Sequence, residues 1–418
     1  MGAPLSLEEA AQMARERAPM VRIAGEQVQE AAARAAQARA AFLPMVRLNS
    51  GYTTSDNAVN VFMFALNQGE FQLAGDLNNP DRADNFQATA QVAINLFNGG
   101  RDWAIWRAAR AAARGSDFAR QATEDEIILG VTRAYLGLLT AQEFVRASET
   151  AVNAYASTEQ VMTSRVNNGT ALKTDLLNVQ VEKAQAEERL LQSRNALALA
   201  KEGLRLAIGL DSLSVSEFQL LDEVKLSEPG AVAPAMRPEV AARDAFADAA
   251  RREYRAAWGG LMPSVSAFAS VDHYKGWEFD GSNNSWTAGL TLSWSVFDGF
   301  LTSSTIKEKR ARMRAAEEGA RLARLQTSVE LTSAANSLKE ATERVAVMQR
   351  AVALAGEGAD LTRQRFEQGL VLTSHVIDAE NNLVQAEVGL AQAKADRLIA
   401  IATLRRALSL PILGGSSR

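Results

Sequence analysis

The chain of 418 residues is 47% hydrophobic with a net charge of −4, enough for two or three ordinary domains. Zero cysteines exclude disulfides, thiol chemistry and thiolate metal sites, and two histidines argue against a histidine metal centre. The dispersed charge offers no basic tract for nucleic acid, and no nucleophile constellation, metal cluster or phosphate loop points to an enzyme or a cofactor.

No run approaches 18 uninterrupted apolar residues, so the sequence contains no transmembrane helix. The first ten residues lack the basic and apolar regions of a signal peptide. The chain therefore reads either as intracellular or as a mature form without its leader, and the strands described below favour the second.

The chain opens with an Ala- and Arg-rich helix. It is announced by Ser6 with Glu9 three residues on, a capping box, is interrupted at Pro19 and is ended by Pro44. A strand is expected at about 45–54, then a long loop over 53–85 holding Val61, Phe62, Phe64 and Leu66, then a strand at 86–97. In that second strand Phe86, Ala88, Ala90, Val92, Ile94 and Leu96 alternate with Gln87, Thr89, Gln91 and Asn95, a period of two with one oily and one wet face.

From 102 to 166 the chain has no proline and is rich in helix formers, and such a rod of roughly 95 Å must pack along other long helices. Asn167, Asn168 and Gly169 end it, and a return helix is expected over 172–208. Residues 209–238, with three prolines, read as a linker.

The plan then repeats over 239–410. Strands are expected at about 264–275 and 285–297, a long helix at 301–366, a Gly369 turn, a return helix at 374–408 and a flexible tail at 411–418. In the last strand Trp286, Ala288, Leu290, Leu292, Trp294 and Val296 face one way, and Thr287, Gly289, Thr291, Ser293 and Ser295 the other. Residues 1–208 and 239–410 are one unit written twice. The strand exits LFNG and VFDG match, as do the turns RVNNGTALKTDLLNVQ at 165–180 and RFEQGLVLTSHVIDAE at 365–380, each pair 200 positions apart.

A strand of about twelve residues spans ~40 Å, enough to cross a bilayer at a tilt. Four such strands cannot close a barrel, and an open sheet edge cannot lie in lipid, so several copies must contribute to one barrel. The fold class is mainly α with membrane β: two tandem repeats of helix, β-hairpin, long helix and helix, forming an oligomeric β-barrel plus a long α-helical barrel.

This order, with the LFNGG and VFDGF exits and the R-V-x-x-G and R-F-x-x-G turns, resembles the TolC family of outer-membrane efflux and secretion ducts over essentially the whole chain. The resemblance implies a homotrimer with a 12-stranded outer-membrane barrel and a periplasmic helical tunnel. It also implies an equatorial region at 209–238 with the chain ends, a periplasmic adaptor and an inner-membrane pump as partners, and passive conduction to the exterior. A soluble coiled-coil scaffold is the alternative, against which the alternating strands argue.

Arg165, Gly169, Asp175, Arg365 and Gly369 are the expected tip and adaptor-docking residues. The expected periplasmic gate comprises Asp378, His375, Phe366 and Val371. Asp378, repeated around the oligomer, makes an acidic ring that attracts cations, or else complements a helix N-terminus. His375 stands where similar family members often carry a further aspartate. Val371 and Phe366 stand where some members lock the tip with an Arg and a Tyr, which implies a hydrophobic closure. Trp286, Leu290, Leu292 and Trp294 are the expected lipid-facing residues, with Trp277 and Tyr274 as further belt aromatics.

Overall fold

The computed structural model describes residues 3–70, 78–210, 218–220, 224–230 and 233–413. A short strand β1 (Ala3–Leu5) precedes α1 (Leu7–Arg17), whose Ser6 and Glu9 form a reciprocal capping box. Pro19 opens α2 (Pro19–Ala40), and β2 (Met45–Ser55) follows Pro44. Next come α3 (Ala58–Gln68), β3 (Ala83–Asn98), the uninterrupted 67-residue α4 (Arg101–Asn167) and α5 (Lys173–Ile208).

The second half begins with β4 (Phe218–Leu220) and α6 (Pro238–Trp258), which ends in a 3₁₀ turn. It continues through β5 (Ser264–Lys275), β6 (Ser282–Ser293), α7 (Leu301–Glu367), again 67 residues, and α8 (Thr373–Ala407). No helix among the described residues is long and apolar enough to cross a membrane.

The chain divides into two compact units. One comprises Met1–Gln27, Ser116–Ala242 and Arg321–Arg418, the other Val28–Gly115 and Arg243–Ala320.

The second unit holds a four-stranded antiparallel sheet in the order β2-β3-β5-β6, so the hairpins of both repeats join through the β3–β5 pair. Cross-strand register places Leu48, Ala90, Val271 and Trp286 in one row, and Val46, Val92, Ala269 and Ala288 in the next. These rows make one continuous oily face. On the opposite face Thr89 donates to Asp272 at 2.6 Å and Gln87 donates to the same carboxylate at 3.2 Å. Edge strands β2 and β6 each have a single neighbour among the described residues.

Two expectations for these hairpins need correction. The long loop expected over 53–85 is broken by regular structure: β2 runs to Ser55, and α3 fills Ala58–Gln68, capped by the Asn57 side chain and closed by left-handed Gly69, while 71–77 lie outside the described residues. Its apolar run makes a helix because both ends are capped. The strand expected at 285–297 occupies Ser282–Ser293. Its alternation continues past Ser293, but the partner strand starts at Ser264, after Pro263, so the ladder has nothing left to pair with.

The core of the first unit lies where α1 meets α4 and α5. Leu5, Leu7, Ala14, Tyr135, Leu204 and Ile208 are buried together, and the Tyr135 hydroxyl donates to the Leu5 carbonyl at 2.8 Å. The 209–238 segment is more than a spacer, since β4 pairs in parallel with β1 and Leu226 is buried beside Ile401 and Ile412. Residues 211–217, 221–223 and 231–232 of that segment lie outside the described residues. Of the expected tail, Ile412 is only 4% exposed because its side chain completes this cluster, so Pro411–Leu413 belongs to the core. The residues 414–418 lie outside the described residues.

Candidate functional site

The two long helices end alike because their last turns carry the same chemistry. Gly169 (φ 71°) and Gly369 (φ 78°) take the left-handed conformation that an L side chain resists. The Gly169 amide bonds the Val166 carbonyl and the Thr170 amide bonds the Arg165 carbonyl, while Gly369 and Leu370 bond Phe366 and Arg365 in the same way. This paired pattern satisfies carbonyls that the helix end would leave open. Leu172 and Leu372 then begin α5 and α8 in an extended conformation without a side-chain cap.

Beneath the turns, Met162 of α4, Val179 of α5, Phe366 of α7 and Val376 of α8 form a small buried core, with Val371 packed on its rim. The Arg165 guanidinium lies over the Phe366 ring, 4.5 Å from its centre, and donates to the carbonyls of Phe366 and Glu367. A cation from the first turn thus neutralises the negative end of α7 and ties the repeats together. Arg365, its counterpart, is exposed, and its side chain has no hydrogen-bond or ion-pair partner among the described residues. Deeper down, Glu380 is buried and bonds Arg363 at 2.5 Å, which raises the arginine's pKa although burial alone would lower it. Tyr155 is buried beside them, and that burial, with Glu182 next, pushes its pKa up to about 12.

An open cleft of about 760 Å³ runs between the turns. It brings together Arg165, Gly169, Asp175, Phe366, Gly369 and Asp378, with Val371 on the same wall. His375 and Arg365 do not line it. Asp378 is exposed at the sixth position of α8, past the first turn where a helix dipole acts. Phe366, expected as a gate residue, is only 4% exposed. Its ring fills the core of its own subunit, so a closure by Phe366 facing a channel does not match its placement.

The sequence reading missed Met162, Val179 and Val376, which carry no signal except helical spacing. It also missed three exposed leucines, since Leu172, Leu370 and Leu372 each keep 68–69% of their surface in the isolated chain. Their only sequence sign was the repeated Leu172/Leu372 pair. Among the described residues no three acidic or imidazole side chains are grouped as metal ligands.

The expected lipid-facing residues lie in the other unit. Trp286, Leu290 and Leu292 stand on the oily face, 77%, 72% and 68% exposed. Trp294 lies just beyond β6, where its indole N–H donates to the Leu261 carbonyl at 3.2 Å. Trp277 packs edge-on against Phe86 and lies beside Tyr52. Tyr274 is on the wet face, bonded by Gln87, and so is not part of an oily-face belt.

The outer membrane efflux protein family matches residues 10–210 and 232–410, which takes in both repeats. The chain is 24% identical to outer membrane protein TolC of Escherichia coli over 89% of this chain and 76% of that one. It is 23% identical to the alkaline protease secretion protein AprF of Pseudomonas aeruginosa over 79% of this chain and 71% of that one. The Campylobacter jejuni CmeC outer membrane channel superposes with a TM-score of 0.86 at 13% identity, over 96% of this chain and 85% of that one. A mostly helical chain with a two-faced sheet and twin helical turns thus shares its fold with an outer-membrane channel, and it belongs to the outer membrane efflux protein family as an exit duct of the efflux and secretion type.

Proposed function

We propose that three copies of this chain close one twelve-stranded barrel in the outer membrane and one periplasmic helical tunnel. In this reading the duct passively conducts cargo delivered by a periplasmic adaptor and an inner-membrane pump. The observation that carries it is the sheet: four long strands with two edges unpaired among the described residues and an oily face on which Leu48, Val271, Trp286, Leu290 and Leu292 are exposed. In lipid each edge needs a partner, and a neighbouring copy of the same sheet supplies one.

The tip is the proposed docking end. Leu172, Leu370 and Leu372 would give the adaptor its apolar contact, with Arg365 the adjacent unpaired cation. Asp378, open to solvent in the cleft, would form an acidic ring at the tunnel entrance. AprF is named for protease secretion and TolC only as an outer membrane protein, so cargo choice is assigned to the pump rather than to this chain.

Reconstitution of the purified protein into planar bilayers tests this reading. It should give discrete channels that prefer cations, and Asp378→Ala should reduce that preference while oligomers still form. Channels whose selectivity is unchanged by the substitution would remove Asp378 from the conduction path, and absence of channels would overturn the duct.

A further inference from the structure

The helix α3 stands where the proposed duct opens outward, and one of its faces is exposed, with nothing among the described residues covering it. Only the first hairpin carries this helix; in the second, β5 and β6 are joined across 276–281. It begins just past the end of edge strand β2, where the Ser55 hydroxyl accepts from the Asn57 amide and the Asn60 side chain. Its far end is fixed by Gln68, 1% exposed, which donates to the Asp84 carbonyl at 2.7 Å and to the Asn85 side chain at 3.1 Å.

The side of the sheet on which α3 lies follows from register. Gln87, Tyr274 and Asn283 occupy one cross-strand row of the wet face, and Asn85 lies two residues before Gln87 on that same face. Gln68 bonds Asn85, and Gly69 sits against the Asn283 side chain, at 3.8 Å from where its own Cβ would be. The helix therefore rests on the wet side of the sheet, opposite Trp286, Leu290 and Leu292.

Its composition is unsuited to water. Val61, 7% exposed, is buried on one side, whereas Val59, Met63 and Leu66, spaced as one helical stripe, keep 69%, 46% and 40% of their surface. A helix apolar on opposite sides is buried on both in a finished assembly. If the oily face of the sheet meets lipid, the wet face encloses the lumen, and what enters that lumen beside α3 is the same helix from the neighbouring copies. The attachment of α3 to an edge strand, the seam where a neighbour must pair, puts it next to that copy.

We propose that the Val59–Met63–Leu66 stripes of neighbouring subunits meet inside the outer mouth of the barrel and form an apolar constriction. An apolar ring of this kind resists wetting and so holds back ions until it is displaced. The inference rests on the oligomeric duct reading and adds to it a barrier at the end of the sheet where α3 joins β2 to β3.

The absence of cysteine makes a clean test available. Met63→Cys should give covalently joined pairs of subunits when the assembled protein is oxidised in lipid, while Leu290→Cys, on the lipid face, should not. Leu66→Asp should raise single-channel conductance by roughly twofold or more, because a charge wets the constriction. Rings that form and conduct without any Met63→Cys pair overturn the constriction and leave the duct standing. A protein that forms no rings overturns both.

Discussion

Near the helical turns one ion pair sets a pH response. Lys183 of α5 donates to Glu159 of α4 at 2.8 Å, and Gln180 donates to the same carboxylate at 3.0 Å. The lysine bond first, and then Gln180, holds Glu159 below the ordinary carboxylate range, while the same bond raises Lys183. A depressed folded pKa means that the contribution to stability is fully present above the unfolded value and is lost as pH falls through the folded one. Acidification into that window should loosen α4 against α5 near the turns, seen as faster amide exchange in that hairpin. Glu159→Gln should abolish the pH step; a step of the same size in the variant would assign it to another group. The buried Glu380 beside Arg363 gives the same region a fixed internal anchor, and neither pairing could be read from residue spacing, because the partners lie on different helices.

At the scale of the element, the sheet shows how far a sequence pattern reaches. The period of two in 86–97 and 285–297 exposed both faces of the strands, because lipid demands apolar side chains at every second position. It could not give the end of β6, which Pro263 of the partner strand decides. It also could not show α3: a helix apolar on opposite sides lacks the one-sided stripe that distinguishes a surface helix, and it sits amid turn-forming residues. At the helical turns the glycine caps were legible from Gly169 and Gly369, whereas the inward placement of Phe366 needed three other helices to be seen. The face assignment predicts opposite outcomes for neighbouring positions of β6. Leu290→Arg puts a charge toward the bilayer at a cost of ~2–4 kcal/mol near the midplane in every subunit, and should block oligomers extracted from membranes. Thr291→Arg, on the wet face, should leave them intact. Normal assembly with arginine at 290 would mean that the faces are reversed.

For the whole molecule, duplication explains why one polypeptide has four long strands in one sheet and paired hairpin helices yet remains unfinished. Its two repeats complete one another at the β3–β5 seam and at the Arg165–Phe366 contact, but β2 and β6 still present open edges. The account therefore turns on what pairs with those edges. Electron cryo-microscopy of the protein in lipid nanodiscs measures this directly. A ring of three chains in which β6 of each is hydrogen-bonded to β2 of the next, with Trp286 and Leu290 toward lipid, is the predicted result. A single chain whose β2 and β6 are covered by its own segments, with the oily face buried away from lipid, would contradict it.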